Sequence, residues 1–245
     1  KDMVSFMEWI QSSRFNVKEY IDILLQINII IHYMQLKGGF VHYDLTCWNV
    51  LIKRLDEPIE IMYEGVGTIK TNIIPVIIDY GKSTCIVDGI YYSFMNKYHT
   101  NTIQDCITIL ISSLSVVPMK YLNRLKPLLS FIENTKYNGY KQFKNASQIR
   151  SFIYNQKKYD TLLTSDKGEL LKLDCMDFVY HIQKYYDNTL SMKLCKRDRV
   201  KNRYTLSEDD VYKGVVKKYK TMNRYEQASY DSCIDMLAQT KRSCS

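Results

Sequence analysis

The chain has 245 residues, 46% hydrophobic and 24% charged, with a formal net charge of +8; that length can bury a sizeable core in one or two domains. Only 9 Gly and 4 Pro exclude long linkers and collagen-like repeats, and no apolar run approaches the ~20 residues of a membrane-spanning helix. Cysteines 47, 85, 106, 175, 195, 233 and 244 are scattered singly, which excludes a C-x-x-C pair or a zinc-spaced cluster and reads as reduced intracellular thiols.

In chain order, Val4-Ser5-Phe6-Met7-Glu8-Trp9-Ile10 predicts a short amphipathic helix. Residues 17–37 predict one long helix, with Tyr20, Leu24, Ile27, Ile31 and Met34 at three- and four-residue steps. Ile21 and Leu25 broaden that stripe, so the helix is expected to be largely buried. Asn16 suits its N-cap, and Gly38-Gly39 its end. Val50-Leu51-Ile52 reads as a short strand. Residues 58–79 predict strands about Gly65-Val66-Gly67, ending in Ile73-Ile74-Pro75-Val76-Ile77-Ile78. Pro75 belongs at an edge or a strand start.

Helical patterns follow over 103–114, 118–133, 146–157 and 174–188, with charged helical segments over 206–243. Strands confined to one stretch among many helices define an α+β class dominated by helix. The positive charge collects late, at Lys193, Lys196, Arg197, Arg199, Lys201 and Arg203 and again from Lys213 to Arg224. A solvated helical face is the favoured reading, and a site for nucleic acid or an acidic partner the lesser one. No signal peptide opens the chain. It begins with Lys1, as a domain or fragment of a longer protein would.

Two stretches carry the chemistry. The first is His42-Tyr43-Asp44-Leu45-Thr46-Cys47-Trp48-Asn49, leading into Val50-Leu51-Ile52; the second is Val76-Ile77-Ile78-Asp79-Tyr80-Gly81. Phosphoryl transfer needs a carboxylate to orient a hydroxyl and take its proton, and hard oxygen ligands to hold magnesium beside the phosphates. Asp44, Asn49 and Asp79 provide those groups if the strand after Asn49 pairs with the strand before Asp79. Gly81 is expected to let the backbone turn sharply after Asp79. Trp9 and Trp48 are expected to pack, Trp48 under the loop. His32 and His181 read as satisfied helix residues, and Cys47 as a bystander.

The string H-Y-D-L-T-C-W-N-V-L-I resembles the protein-kinase catalytic loop H-R-D-L-x-x-x-N, and I-I-D-Y-G resembles that family's D-F-G metal motif. The preceding helix ending in G-G-F-V-H resembles the helix leading into that loop. Asp105 resembles the buried aspartate of the central C-lobe helix, which hydrogen-bonds the catalytic-loop backbone. The resemblance implies a kinase-like C-lobe over 1–190, with a small β-hairpin region, and a basic helical extension over 191–245. It implies ATP and Mg2+ as cofactors, a protein substrate, Asp44 as base, and Asn49 and Asp79 as metal ligands. Leu51 and Ile78 would lie beneath or beside the adenine, and His42 would anchor the loop. The I-I-P-V-I-I-D-Y-G-K-S run is similar to atypical, haspin-like and large-DNA-virus kinases of Ser/Thr type, which implies a cytoplasmic or virion location and no membrane.

Departures from that pattern are specific. Tyr43 replaces the usual Arg, Thr46 stands where a Lys usually contacts the γ-phosphate, and no A-P-E triplet follows Asp79. No G-x-G-x-x-G and no V-A-I-K lysine occur, so the chain reads as a C-lobe without the lobe that covers the phosphates. Aminoglycoside- and choline-type phosphotransferases share an H-x-D-x-x-x-x-N loop and are the rival enzyme class. A non-catalytic pseudokinase module is the rival outside enzymes.

Overall fold

A computed structural model describes residues 3–63, 66–87, 90–93, 103–134, 143–155, 173–186 and 192–194. The expected helices over 206–243 and most of the basic run lie outside these residues. The chain divides into two compact units, Lys1–Cys85 with Ser93–Thr205, and Ile86–Tyr92 with Leu206–Ser245. The larger sheet and the helical body lie in the first.

Strand β1 (Val4–Ser5) runs directly into helix α1 (Phe6–Gln11). Ser5 and Glu8 close a reciprocal capping box there, each side chain accepting the other's backbone N–H. Helix α2 (Val17–Gly38) starts where sequence places it: Asn16 Oδ1 accepts the N–H of Lys18 at 2.8 Å and of Glu19 at 3.2 Å. It ends at Gly39, whose φ of 54° is the left-handed conformation that a side chain disfavours. Burial goes beyond the expected stripe. Ile23 and Ile29 are buried as well, and so are the polar Gln26, Asn28 and His32. Such groups stay inside only when bonded, and Gln26 Nε2 donates to Ile73 O while Asn28 Nδ2 donates back to Leu24 O.

Strands β2 (Val50–Tyr63) and β3 (Gly67–Ile77) pair antiparallel along most of their length. β1 flanks β2, and a short strand, Met192–Leu194, flanks β3, to give a four-stranded sheet. The short strand expected at 50–52 is in fact the start of a fourteen-residue strand. Sequence patterning misses its continuation because Asp56–Glu60 is solvent-exposed and carries no buried face, pairing with β3 resuming at Ile59. The register shifts between Arg54 and Ile59, where Pro58 sits. Pro75 lies within β3 opposite Ile52, but Met192–Leu194 pairs only with Gly67–Ile69, so among the described residues β3 is an edge where the proline falls.

Helices α3 (Gln104–Val116), α4 (Met119–Leu129), α5 (Ala146–Asn155) and α6 (Cys175–Tyr186) complete the described fold. Their apolar faces join α2 in one core: Tyr20, Leu24 and Ile27 of α2, Ile107 and Leu110 of α3, and Phe178 and Ile182 of α6 are all fully buried. Each such side chain contributes about 1.5–3 kcal/mol by leaving water. His181 bonds Pro127 O through Nε2 at 3.0 Å. The arrangement is α+β, with a small antiparallel sheet beside a helical body, and among the described residues no helix is long and apolar enough to cross a membrane.

Candidate functional site

The segment after α2 is pinned from three sides. Val41 pairs with Thr84 through bonds of 3.1 and 2.8 Å. Next, the N–H groups of His42 and Tyr43 donate to the two carboxylate oxygens of Asp105, at 2.7 and 3.0 Å. Asp105 sits in the first turn of α3 and is fully buried. Burial pushes its carboxyl up to about 6, against the lowering effect of the His42 and Tyr43 hydrogen bonds.

The His42 ring ties the loop to the second motif. Its Nδ1 accepts Asp44 N–H at 3.3 Å, so the proton resides on Nε2, which donates to Ile78 O at 3.0 Å. His42 is fully buried and the Tyr80 ring lies 5.4 Å away. It is a structural anchor in geometry.

The remainder of the loop folds on itself. Asp44 O accepts Thr46 N–H at 2.8 Å and Asn49 Nδ2 at 2.9 Å, and Thr46 O accepts Asn49 N–H at 3.0 Å. Because Nδ2 is turned toward Asp44 O, Oδ1 is the end of the carboxamide left for another partner. The Thr46–Asn49 turn also decides the fate of its two central residues. Cys47 points inward onto Ser112, and burial pushes its thiol up to about 11. Trp48 points out and is 48% exposed, which corrects the expectation that it packs beneath the loop.

The second motif meets the first through Ile78 N–H, which donates to Asn49 O at 3.0 Å. That bond extends the β2–β3 register, in which Val50 faces Ile77 and Leu51 faces Val76. Core burial alternates along both strands: Val50, Ile52, Pro75 and Ile77 point inward, and Leu51, Val76 and Ile78 are half-buried on the other face. Leu51 and Ile78 therefore share one apolar, accessible face beside Asn49. Asp79 follows directly after Ile78 and is exposed.

Asp79 itself makes the turn expected of Gly81. Its φ is 63°, and it caps a short 3-10 turn, Tyr80–Lys82, by accepting Gly81 N–H at 3.4 Å. Gly81 is not among the positive-φ glycines, so its conformation is one any residue adopts. An aspartate tolerates left-handed backbone better than most side chains, so the reversal falls on the acid and leaves the glycine unstrained.

One further charged group completes the cluster. Lys82 Nζ lies 2.6 Å from Asp44 Oδ2, with the lysine side chain 59% and the aspartate 28% exposed. Sequence patterning assigns Lys82 no role; its one signal is its place three residues after Asp79. The loop and the strand end are thus brought together as expected, Asn49 bonding Asp44 O through Nδ2 and the residue before Asp79 through its own carbonyl.

No group of three or more His, Cys, Asp or Glu side chains among the described residues is placed to hold a metal. Asn49 and Asp79 form a different donor set, one amide and one carboxylate oxygen. Both are donor types that magnesium takes, its shell being completed by phosphates and water.

No protein-family model matches the chain, and no solved structure matches it. It is similar to Uncharacterized protein 179R of Invertebrate iridescent virus 6, 28% identical over 212 residues, covering 76% of this chain and 18% of that protein. It is also similar to Uncharacterized protein 035R of Invertebrate iridescent virus 3, 33% identical over 115 residues, covering 42% of this chain and 10% of that protein. The chain therefore spans less than a fifth of the length of these curated relatives.

Proposed function

We propose that the chain is the C-lobe of an ATP- and magnesium-dependent protein kinase of the atypical, virus-like group, transferring phosphate to a Ser or Thr hydroxyl. The observation that carries this reading is the grip of buried Asp105 on the backbone of His42 and Tyr43. It fixes the loop bearing Asp44 and Asn49 against the strand end bearing Asp79, through the bonds of Ile78 to Asn49 and His42. Iridovirus relatives agree with a viral setting, host cytoplasm or virion, and with these residues as part of a larger protein. The lobe covering the phosphates would then be supplied outside these 245 residues.

The chemistry follows from the groups present. Asp44 orients the acceptor hydroxyl and takes its proton as the oxygen bonds to the γ-phosphorus of ATP and the bond to the β-phosphate oxygen breaks, releasing ADP. Asn49 Oδ1 and Asp79 would hold magnesium, which when bound neutralises phosphate charge. Leu51 and Ile78 offer the adenine an apolar face. His42 and Asp105 keep the loop in place.

The test is transfer from γ-labelled ATP by the full-length protein to a panel of protein substrates, beside a panel of aminoalcohols and aminoglycosides. Label on protein, lost by about 10²–10⁴-fold in Asp44→Asn and abolished in Asp79→Ala, is the expected result. Label on the small molecules alone assigns the small-molecule class instead. Undiminished transfer by either variant removes the assignment.

A further inference from the structure

We infer that Lys82 is a catalytic residue of this site, its ammonium group binding the transferring phosphoryl group while it remains paired with Asp44. The inference rests on the phosphotransferase reading and adds to it a cation that neither motif contains.

Three observations carry it. First, Lys82 Nζ is 2.6 Å from Asp44 Oδ2, yet the side chain is 59% exposed. A pair so accessible contributes little to stability, so its placement needs another reason. Second, Lys82 closes the 3-10 turn that Asp79 caps. One turn therefore sets both the acid that would hold magnesium and the cation that meets the base. Third, the loop His42–Asn49 contains no Lys or Arg, and its Thr46 is buried. No residue of that loop can offset charge on the phosphoryl oxygens.

An ammonium group has three donors. Asp44 uses one, and the other two can reach a phosphoryl oxygen beside it. As the acceptor oxygen bonds to phosphorus and the bond to ADP breaks, charge shifts on the phosphoryl oxygens and the leaving oxygen, and the acceptor proton passes to Asp44. A fixed cation between base and phosphate stabilises that arrangement more than the ground state. Without nucleotide, the same ammonium neutralises Asp44.

The experiment compares wild type, Lys82→Met and Lys82→Arg in the full-length protein, measuring kcat, KM for ATP, affinity for Mg·ADP and melting temperature. The expected result for Lys82→Met is a fall in kcat of about 10²–10³-fold, with Mg·ADP affinity and melting temperature unchanged. Lys82→Arg should recover at least about tenfold of the loss, because it restores the charge. A Lys82→Met kcat within about threefold of wild type, or parallel loss of Mg·ADP affinity and thermal stability, overturns the role of Lys82 and leaves the phosphotransferase reading standing. Absence of transfer by wild type to either acceptor panel removes both.

Discussion

Asp105→Asn isolates the joint on which the His42–Asn49 loop hangs. The native carboxylate gives one oxygen to His42 N–H at 2.7 Å and the other to Tyr43 N–H at 3.0 Å. The carboxamide keeps the shape and loses one acceptor, so one backbone N–H faces a donor, at a cost of about 1–3 kcal/mol. Against that, the variant buries no charge. The sign of that second effect follows from burial, which raises the carboxyl to about 6 from an ordinary value near 3.8. Between those values the folded chain holds a proton that the unfolded chain has released. This contribution to stability is complete below about pH 4 and is lost as the pH rises through about 6, a total on the order of 3 kcal/mol.

The carboxamide of Asp105→Asn does not titrate, and the other carboxylates contribute equally to both proteins. The stability of wild type relative to Asp105→Asn should therefore be highest in acid and fall by that amount towards neutrality. Urea unfolding of both proteins from about pH 4 to about pH 7 reads it directly. A relative stability that stays constant, or rises with pH, would falsify the reasoning. Constancy would mean that the two N–H donors cancel burial, and a rise that they hold the carboxyl below its ordinary value.

Two further predictions concern the scaffold. Asn16→Ala removes the acceptor for Lys18 and Glu19 N–H and should cost about 1 kcal/mol, read as a lower urea midpoint with an unchanged slope. Brief alkylation of the native chain with iodoacetamide should label Cys85, which is half-buried, before the buried Cys47, Cys106 and Cys175, and peptide mapping should show that order. Burial raises all three of those thiols, and only the thiolate reacts.

What was legible in the sequence shares a physical character. Helix α2 is local in both cause and signal: its period, Asn16 at one end and Gly39 at the other are written within the segment they shape. Asp105 and the loop were legible for a different reason, by resemblance to the kinase motifs, in which an aspartate opening an apolar helix bonds the loop backbone. Features set by tertiary contact were not. The outer half of β2 carries no buried stripe, and Trp48 faces solvent because a turn four residues long puts it at a corner. Lys82 was missed on the same ground. A lysine after a glycine looks like any surface cation until the fold sets it against a carboxylate 38 positions away.

Backbone strain falls on the same two stretches. Among the described residues, Tyr43 at φ 62° and Asp79 at φ 63° are the non-glycine residues with left-handed backbone. Each conformation costs about 1–2 kcal/mol for an L-residue, so something must hold it. At Tyr43 the holder is Asp105, which fixes that residue's own N–H and the one before it. At Asp79 it is the preceding residue, whose N–H is bound by Asn49 O and whose carbonyl is bound by the His42 ring. Both constraints trace to the single segment His42–Asn49 and its buried supports. The left-handed turn at Tyr43 sets the direction in which Asp44 leaves the backbone, and the one at Asp79 starts the short helical turn that carries Lys82 back to Asp44. A relaxed backbone at either position would aim one member of that pair elsewhere. The strain is therefore located where side-chain direction matters most, and the hydrogen bonds of Asp105 and His42 are what keep it there.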